Sequence, residues 1–533
     1  MLEIGPELRE PQPLDLAGRF YSAADYHAMY SRGETTPLQV VEALLPLIRR
    51  DVTPRSKYSV AWLQTDVEAV LAAARESTER WQNKQPLSVL DGVPFGVKDD
   101  IDVKGFVSTM AMKVDESHEY FRKPAKSTEW PVLKLMDAGG ILMGKMNQHE
   151  IGMDTTGCNI STGTPQNWYA KSYYTGGSSS GGASALCAGT VPIALGTDAG
   201  GSCRIPPANC GVYGLKVTHN RLATQKSTVC VISPLASTAA DLAIAYRIAS
   251  QSNPADPDQG LFATSVPPSP SAPKYLGLCR AWLADAEPDV RSVFDAALAH
   301  LISPAGGSHI PVDIALPFLR QGQLAHTAIC LLESADGVRA RVPRPGNPMS
   351  LLSAANRIAV GIGAQTPALD LYKYGQIRQV IMSHLAHLWK AYPGMLVLTP
   401  TTRAAGWPIM EEDLVHGMQD GNRTVANMAY AWYANMSGCP AVTCPAGYVK
   451  PMEDREGVLP VGIMAMGEWG AEEQLLGFAR EVEGYLNGSY PGGRRRPEEW
   501  VDLLGVARGE KGEGDGKGEE VECGNGNGKG LLA

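Results

Sequence analysis

Two serines in a glycine-rich stretch and one lysine upstream are the residues whose types and spacing could do chemistry. Residues 176–204 read GGSSSGGASALCAGTVPIALGTDAGGSCR, and Ser178 and Ser202 each sit beside glycine. Glycine lets the backbone take dihedrals closed to other residues and lets a substrate come close. Successive N–H groups in the Ala199-Gly200-Gly201 turn can converge on one oxygen. A serine at the end of such a turn is placed to attack a carbonyl while backbone donors hold the resulting oxyanion. Lys98, in GVPFGVKDDIDVKG, supplies the base such a serine needs. A free lysine has a pKa of ~10.4, so the amine must be buried to lose its proton, and the apolar run 92–97 can bury it. In a strand Asp99 faces away from Lys98, which leaves Asp100 as the ambiguous carboxylate. Each feature also has a plainer reading: a tight turn with a solvated serine, and a surface lysine in a charged turn.

Two other nucleophiles compete. Residues 177–181, GSSSG, match the G-x-S-x-G nucleophile elbow with Ser179 as the attacking residue. That reading requires an acid and a histidine later in the chain, and His219, His300, His309, His326, His384, His387 and His416 follow without a context that singles one out. Cys203, next to Ser202, reads as a rival thiol or as a buried spacer, and the spacer is preferred.

The elements that must position these groups follow from pattern. Thr36, Pro37 and Gln39 form a helix start with a capping box, and Val40, Val41, Leu44, Leu45 and Ile48 supply its apolar face. Strands are expected at 59–62, 93–97, 101–103, 141–146, 396–398 and 461–466. Helices are expected at 65–81, 130–137, 367–392 and 472–486. Helix followed by apolar strand is an α/β signature. Residues 250–274 read as an exposed loop, and the Gly/Glu/Lys/Asn tract from 505 cannot bury enough surface to order itself.

Composition narrows the class. The 533 residues carry a net charge of −9, so binding to a phosphate backbone is not expected. No apolar run reaches the about 18 residues of a membrane span, and the charged, proline-containing start does not read as a signal peptide. The ten cysteines form no C-x-x-C pair and read as reduced core thiols. A cytoplasmic location is expected.

The ordered segments GVPFGVKDD (92–100), GGSSSGG (176–182) and GTDAGGSCRIPPANCGVYGLKVT (196–218) resemble the amidase signature family, which takes in fatty acid amide hydrolases, bacterial amidases and glutamyl-tRNA amidotransferase subunits. Lys145-Met146-Asn147, the stretch 435–441 and Leu459-Pro460-Val461-Gly462 resemble further family segments. The likeness spans roughly residues 20–485, although 250–350, where acyl pockets are shaped, match weakly. The resemblance implies that Ser202 is the acylated nucleophile. Ser178 would be the bridging serine beside a cis peptide bond and a substrate contact, and Lys98 the base and later the acid. It implies an oxyanion hole from Ala199, Gly200, Gly201 and Ser202, a backbone substrate contact at Met153, and structural support from Asp198 and Arg204. Cys203 replaces an isoleucine, Ser180 a glycine, and Val217-Thr218 a Pro-Thr pair; none removes a catalytic group.

The expectation is therefore an α/β fold, a large mixed central β-sheet surrounded by helices. Residues 1–20 form an N-terminal extension, 21–504 one amidase domain and 505–533 a disordered tail. The implied activity is hydrolysis of a small-molecule carboxylic amide through an acyl-serine, with no metal or organic cofactor and no nucleic-acid partner; a homodimer is left open. A glutaminase that works as one component of a larger assembly, an esterase and a catalytically silent binding protein are the alternatives.

Overall fold

The computed structural model describes residues 8–510, apart from 9, 14–15, 17, 223–226, 257–258, 260–264, 342–346 and 419. Eleven strands among these residues form one sheet. In chain order they are β1 (Trp62–Gln64), β2 (Pro94–Lys98), β3 (Ile141–Met146), β4 (Ile193–Asp198), β5 (Tyr213–Lys216), β6 (Val231–Ala236), β7 (Tyr275–Leu278), β8 (Ile310–Asp313), β9 (Leu396–Pro400), β10 (Ala441–Val449) and β11 (Leu459–Met466). Their spatial order is β1-β3-β2-β4-β6-β5-β10-β11-β9-β7-β8. This is the mixed central sheet, wrapped by helices, that the sequence led us to expect.

The sheet is mixed: β2 runs parallel to β3 and β4, β7 runs parallel to β8 and β9, and the other pairs are antiparallel. The helix Trp130–Asp137 returns the chain from β2 to β3, and Ser180–Cys187 lies between β3 and β4. Both crossovers leave β2 parallel to its two neighbours. The middle strands β2, β4, β5, β6 and β11 are buried along their whole length, which is why they read as continuous apolar runs rather than alternating ones. The edge strand β8 is mostly exposed and contains Pro311, a residue that sheets tolerate at an edge.

This topology positions the chemistry. Because β2 and β4 run parallel side by side, Lys98 at the end of β2 and the loop after Asp198 at the end of β4 emerge at the same edge of the sheet. Ligands bind outside the carboxyl ends of strands in open α/β sheets. The helix Ser180–Cys187 packs tightly onto this edge because Gly181 has no side chain; a Cβ there would stand 2.3 Å from the carbonyl of Ala61.

Local details differ from the sequence reading in three places. The strand expected at 59–62 is a 3-10 turn, Lys57–Ala61, with Ser56 capping Tyr58 N–H, and the strand starts only at Trp62. Residues 101–103 form no strand: they follow a turn in which the Ile101 N–H closes back onto the Lys98 carbonyl at 3.1 Å. The tail expected from residue 505 begins inside a helix, Leu503–Ala507, capped by Asp502 and anchored by buried Leu503 and Leu504; residues 511–533 lie outside those described. Among the described residues no helix is long and apolar enough to cross a membrane.

Candidate active site

Lys98, Ser178 and Ser202, 80 and 24 residues apart in pairs, meet in a continuous chain. The Lys98 Nζ donates to Ser178 Oγ at 2.8 Å, and Ser178 Oγ donates to Ser202 Oγ at 3.0 Å. Lys98 and Ser178 are 2% and 1% exposed and Ser202 is 9% exposed, so Ser202 is the most open of the three. Ser178 follows a cis Gly177–Ser178 peptide bond, and its carbonyl accepts the His149 N–H at 3.0 Å. The His149 imidazole itself is pushed down to about 3, first by burial and then by the charge of Lys98. It faces Thr156 Oγ1 at 3.5 Å rather than either serine, and it is neutral at ordinary pH.

Two side chains complete the lysine's surroundings. Lys98 Nζ also donates to Thr197 Oγ1 at 2.7 Å, and Thr197 Oγ1 donates to Asp100 Oδ2 at 2.6 Å. Asp100 stands 3.4 Å from Nζ. Asp99 turns the other way, where it accepts from Thr109 Oγ1 and Ala111 N–H. The ambiguity over Asp100 is thereby resolved, with that carboxylate on the lysine side. Thr197 was not singled out from sequence, although it lies inside the GTDAGGS segment.

The turn that carries Ser202 is held from beneath by Asp198. This carboxylate accepts the Gly201 N–H at 2.7 Å and the Cys203 N–H at 3.0 Å. It also pairs twice with Arg204, at 2.9 and 3.0 Å. Arg204 further donates to Ala431 O and Asn435 Oδ1, and Asn435 Nδ2 donates back to Asp198 Oδ1. Burial alone would raise the Asp198 carboxyl, but the Arg204 guanidinium and Asn435 hold it below the usual carboxylate range. Asp198 and Arg204 thus lie together beneath the turn that carries Ser202. Asn435 joins them from a segment whose resemblance was noted without a role.

One expectation needs correction. Gly201 was expected to donate its N–H to an oxyanion, but that N–H is committed to Asp198. The N–H groups of residues 201 and 203 donate to Asp198, and those of Ala199, Gly200 and Ser202 have no acceptor among the described residues. Gly201 is needed instead for its backbone: its φ is 121°, and a Cβ there would stand 2.7 Å from that of Ala431.

The rival nucleophiles lie outside the Lys98–Ser178–Ser202 chain. Ser179 Oγ donates to the Thr197 carbonyl at 3.4 Å and touches Cys203 Sγ at 3.8 Å, and no described histidine is hydrogen-bonded to it. Cys203 is fully buried, and burial pushes its thiol well up, so it is the buried spacer. Met153 ends the 3-10 turn Glu150–Gly152. A Cβ on its neighbour Gly152 would lie 3.6 Å from Ser178 Oγ, which puts the Gly152–Met153 loop beside the bridging serine. Ile151, Met110 and Ala111 there all have positive φ, an unfavourable backbone state that persists mainly at functional positions.

Comparison with known proteins gives the same direction. The family model for Amidase matches residues 55–476. A fatty acid amide hydrolase of Medicago truncatula is 32% identical over 502 residues, covering 92% of this chain and 79% of the relative. A glutamyl-tRNA(Gln) amidotransferase subunit of Chloroflexus aggregans is 30% identical, covering 84% of this chain and 93% of the relative. A crystal structure of an amidase superposes with a TM-score of 0.70 at 25% identity, covering 87% of this chain and 99% of that one.

Proposed function

The chain belongs to the amidase family, and from that premise we propose that it hydrolyses a small-molecule carboxylic amide to an acid and an amine or ammonia, with Ser202 as nucleophile. The observation that carries this reading is the unbroken Lys98–Ser178–Ser202 hydrogen-bond chain ending at the most open member.

An amide carbonyl is a poor electrophile, so each step needs help. Ser202 Oγ attacks the carbonyl carbon as its proton passes to Ser178, and Ser178 passes its own proton to the neutral amine of Lys98. With the Lys98 amine neutral, rotation of both hydroxyls and of the amine, which turns its lone pair toward Ser178, lets the resting hydrogen bonds run in this reactive direction. The tetrahedral oxyanion is met by the N–H groups of Ala199, Gly200 and Ser202. The C–N bond then breaks as Lys98 returns a proton through Ser178 to the departing nitrogen, which leaves an ester on Ser202. Water attacks that ester and loses a proton along the same relay, and the relay returns that proton to Ser202 Oγ as the acyl C–O bond breaks, which releases the acid and restores the neutral amine. The buried amine of Lys98 is held in place by Thr197 and Asp100 throughout.

An apolar acyl group fits the surroundings. Met153 packs with Met110 and Met349 against a small apolar cluster that includes Ile151 and Leu352, and Met428 abuts Gly200 from another side. The relatives named fatty acid amide hydrolases support the same class.

Matched p-nitroanilides and p-nitrophenyl esters of straight-chain acids test the reading. The wild type should turn over the amides, Ser202→Ala should lose that activity, and Ser179→Ala should keep it. Ester turnover without amide turnover would favour the esterase alternative, and loss on Ser179→Ala alone would favour the elbow.

A further inference from the structure

The turn bearing Ser202 is held by Asp198 from one side, and a second group holds it from the other. His326 lies on the long helix Leu319–Arg341, more than a hundred residues along the chain from Ser202. Its Nε2 is 2.7 Å from the Ala199 carbonyl oxygen. A carbonyl oxygen only accepts, so Nε2 carries the proton and Nδ1 is the bare nitrogen. That Nδ1 is buried with no hydrogen-bond partner among the described residues. Burial pushes the ring down to about 4, which keeps it neutral and preserves this tautomer. Cys330, one helical turn on, reaches the same carbonyl with its Sγ at 3.8 Å.

The consequence lies in the peptide plane. In a trans peptide the C=O and the following N–H point in opposite directions. Fixing the Ala199 carbonyl toward the helix therefore fixes the Gly200 N–H away from it, and that N–H has no acceptor among the described residues. The ring also presses on Gly200: a Cβ there would stand 3.1 Å from His326 Cε1 and 2.8 Å from Met428 Sδ. We propose that His326 is a positioning residue for amide hydrolysis, which aims the Gly200 N–H at the developing oxyanion by holding the Ala199 carbonyl. This rests on the reading of Ser202 as nucleophile.

The test is the rate at which an alkyl fluorophosphonate labels Ser202, separated into the binding constant and the limiting rate. Phosphonylation also develops charge on an oxygen in the oxyanion position, so it reads the donor without requiring the natural substrate. Removing one such donor costs about 10²–10³ in rate, and loosening it indirectly costs less. His326→Leu and His326→Phe, which cannot donate, should lower the limiting rate about 10- to 100-fold while the binding constant stays within a few-fold. His326→Gln, whose amide N–H reaches where Nε2 stood, should recover most of the loss. Melting temperatures taken alongside separate folding from positioning, and two non-donating variants guard against one that does not fold. Labelling of both at the wild-type rate, or equal loss in His326→Gln, would overturn the role of His326. A wild type that does not label at Ser202 overturns the site reading itself, and this inference with it.

Discussion

Thr197 Oγ1 lies 2.7 Å from Lys98 Nζ and donates its own proton to Asp100 Oδ2 at 2.6 Å. One hydroxyl thus ties the base to a carboxylate and fixes where the amine points. Thr197→Val keeps the shape and removes the hydroxyl. Hydrogen bonds to charged groups contribute about 1.5–3 kcal/mol, so kcat/KM on a p-nitroanilide should fall about 10- to 100-fold. Thr197→Ser, which keeps the hydroxyl, should stay near the wild-type value.

In the proposed mechanism Lys98 and Ser178 form one proton relay. Lys98→Ala should lower kcat/KM by about 10²–10⁴, the usual range for a general base, and Ser178→Ala by a similar factor because the proton path is cut. The double variant should lose no more than the worse single, since residues that work together are not additive. Steady-state kinetics on the three variants, with melting curves to verify folding, measures this. Multiplying losses would mean that Lys98 and Ser178 act separately.

Arg204 and Asp198 are both fully buried and paired through two contacts. Arg204→Met leaves a buried carboxylate without its cation, which costs about 3–5 kcal/mol, read by urea denaturation at neutral pH. The sign with pH follows from the lowered carboxyl of Asp198. A carboxylate depressed in the folded state stabilises it above the unfolded value near 3.8, and that contribution is lost as pH falls through the folded value. The wild type should therefore keep this stability down to about pH 4, and Arg204→Met should lack it throughout.

Asp241 titrates in the opposite sense. Burial pushes its carboxyl up to about 8, against hydrogen bonds from Ala23 and Thr238 and with the charges of Asp25 and Glu483. Between about pH 4 and about 8 the folded state holds a proton that the unfolded state has lost. Stability should then decrease as pH rises through that range, by up to about 1.4 kcal/mol per pH unit. Asp241→Asn keeps an acceptor for the Ala23 N–H, now 2.8 Å from Oδ1, and needs no proton. Its stability between about pH 5 and 8 should be flatter than that of the wild type, as measured by denaturant midpoints across the range.

The parts of the site legible in sequence were those written in local chemistry. Glycine beside Ser178 and Ser202 marked the turns, and the apolar run before Lys98 marked a buried strand end. Partners that reach across the fold were not legible. Thr197 meets Lys98 only because β2 and β4 are parallel neighbours, and His326 meets Ala199 from a helix whose neighbourhood in sequence carries no signal. Backbone donors were hidden for another reason: residue types do not say which N–H of a glycine turn is already taken, and Asp198 takes that of Gly201. The same limit explains residues 101–103, where apolar Ile101 and Val103 are buried after a reversal rather than in a strand. Composition also placed the start of the tail too early, because two leucines at 503 and 504 suffice to dock a short helix.

The central claim is that Ser202, and not Ser179 or Cys203, carries the covalent intermediate. The most direct measurement is peptide mapping by mass spectrometry after reaction with an alkyl fluorophosphonate. The account predicts one adduct per chain on Ser202, absent from Ser202→Ala and unchanged in Ser179→Ala and Cys203→Ala. An adduct on Ser179 or Cys203 in the wild type, or one that persists in Ser202→Ala, would contradict it.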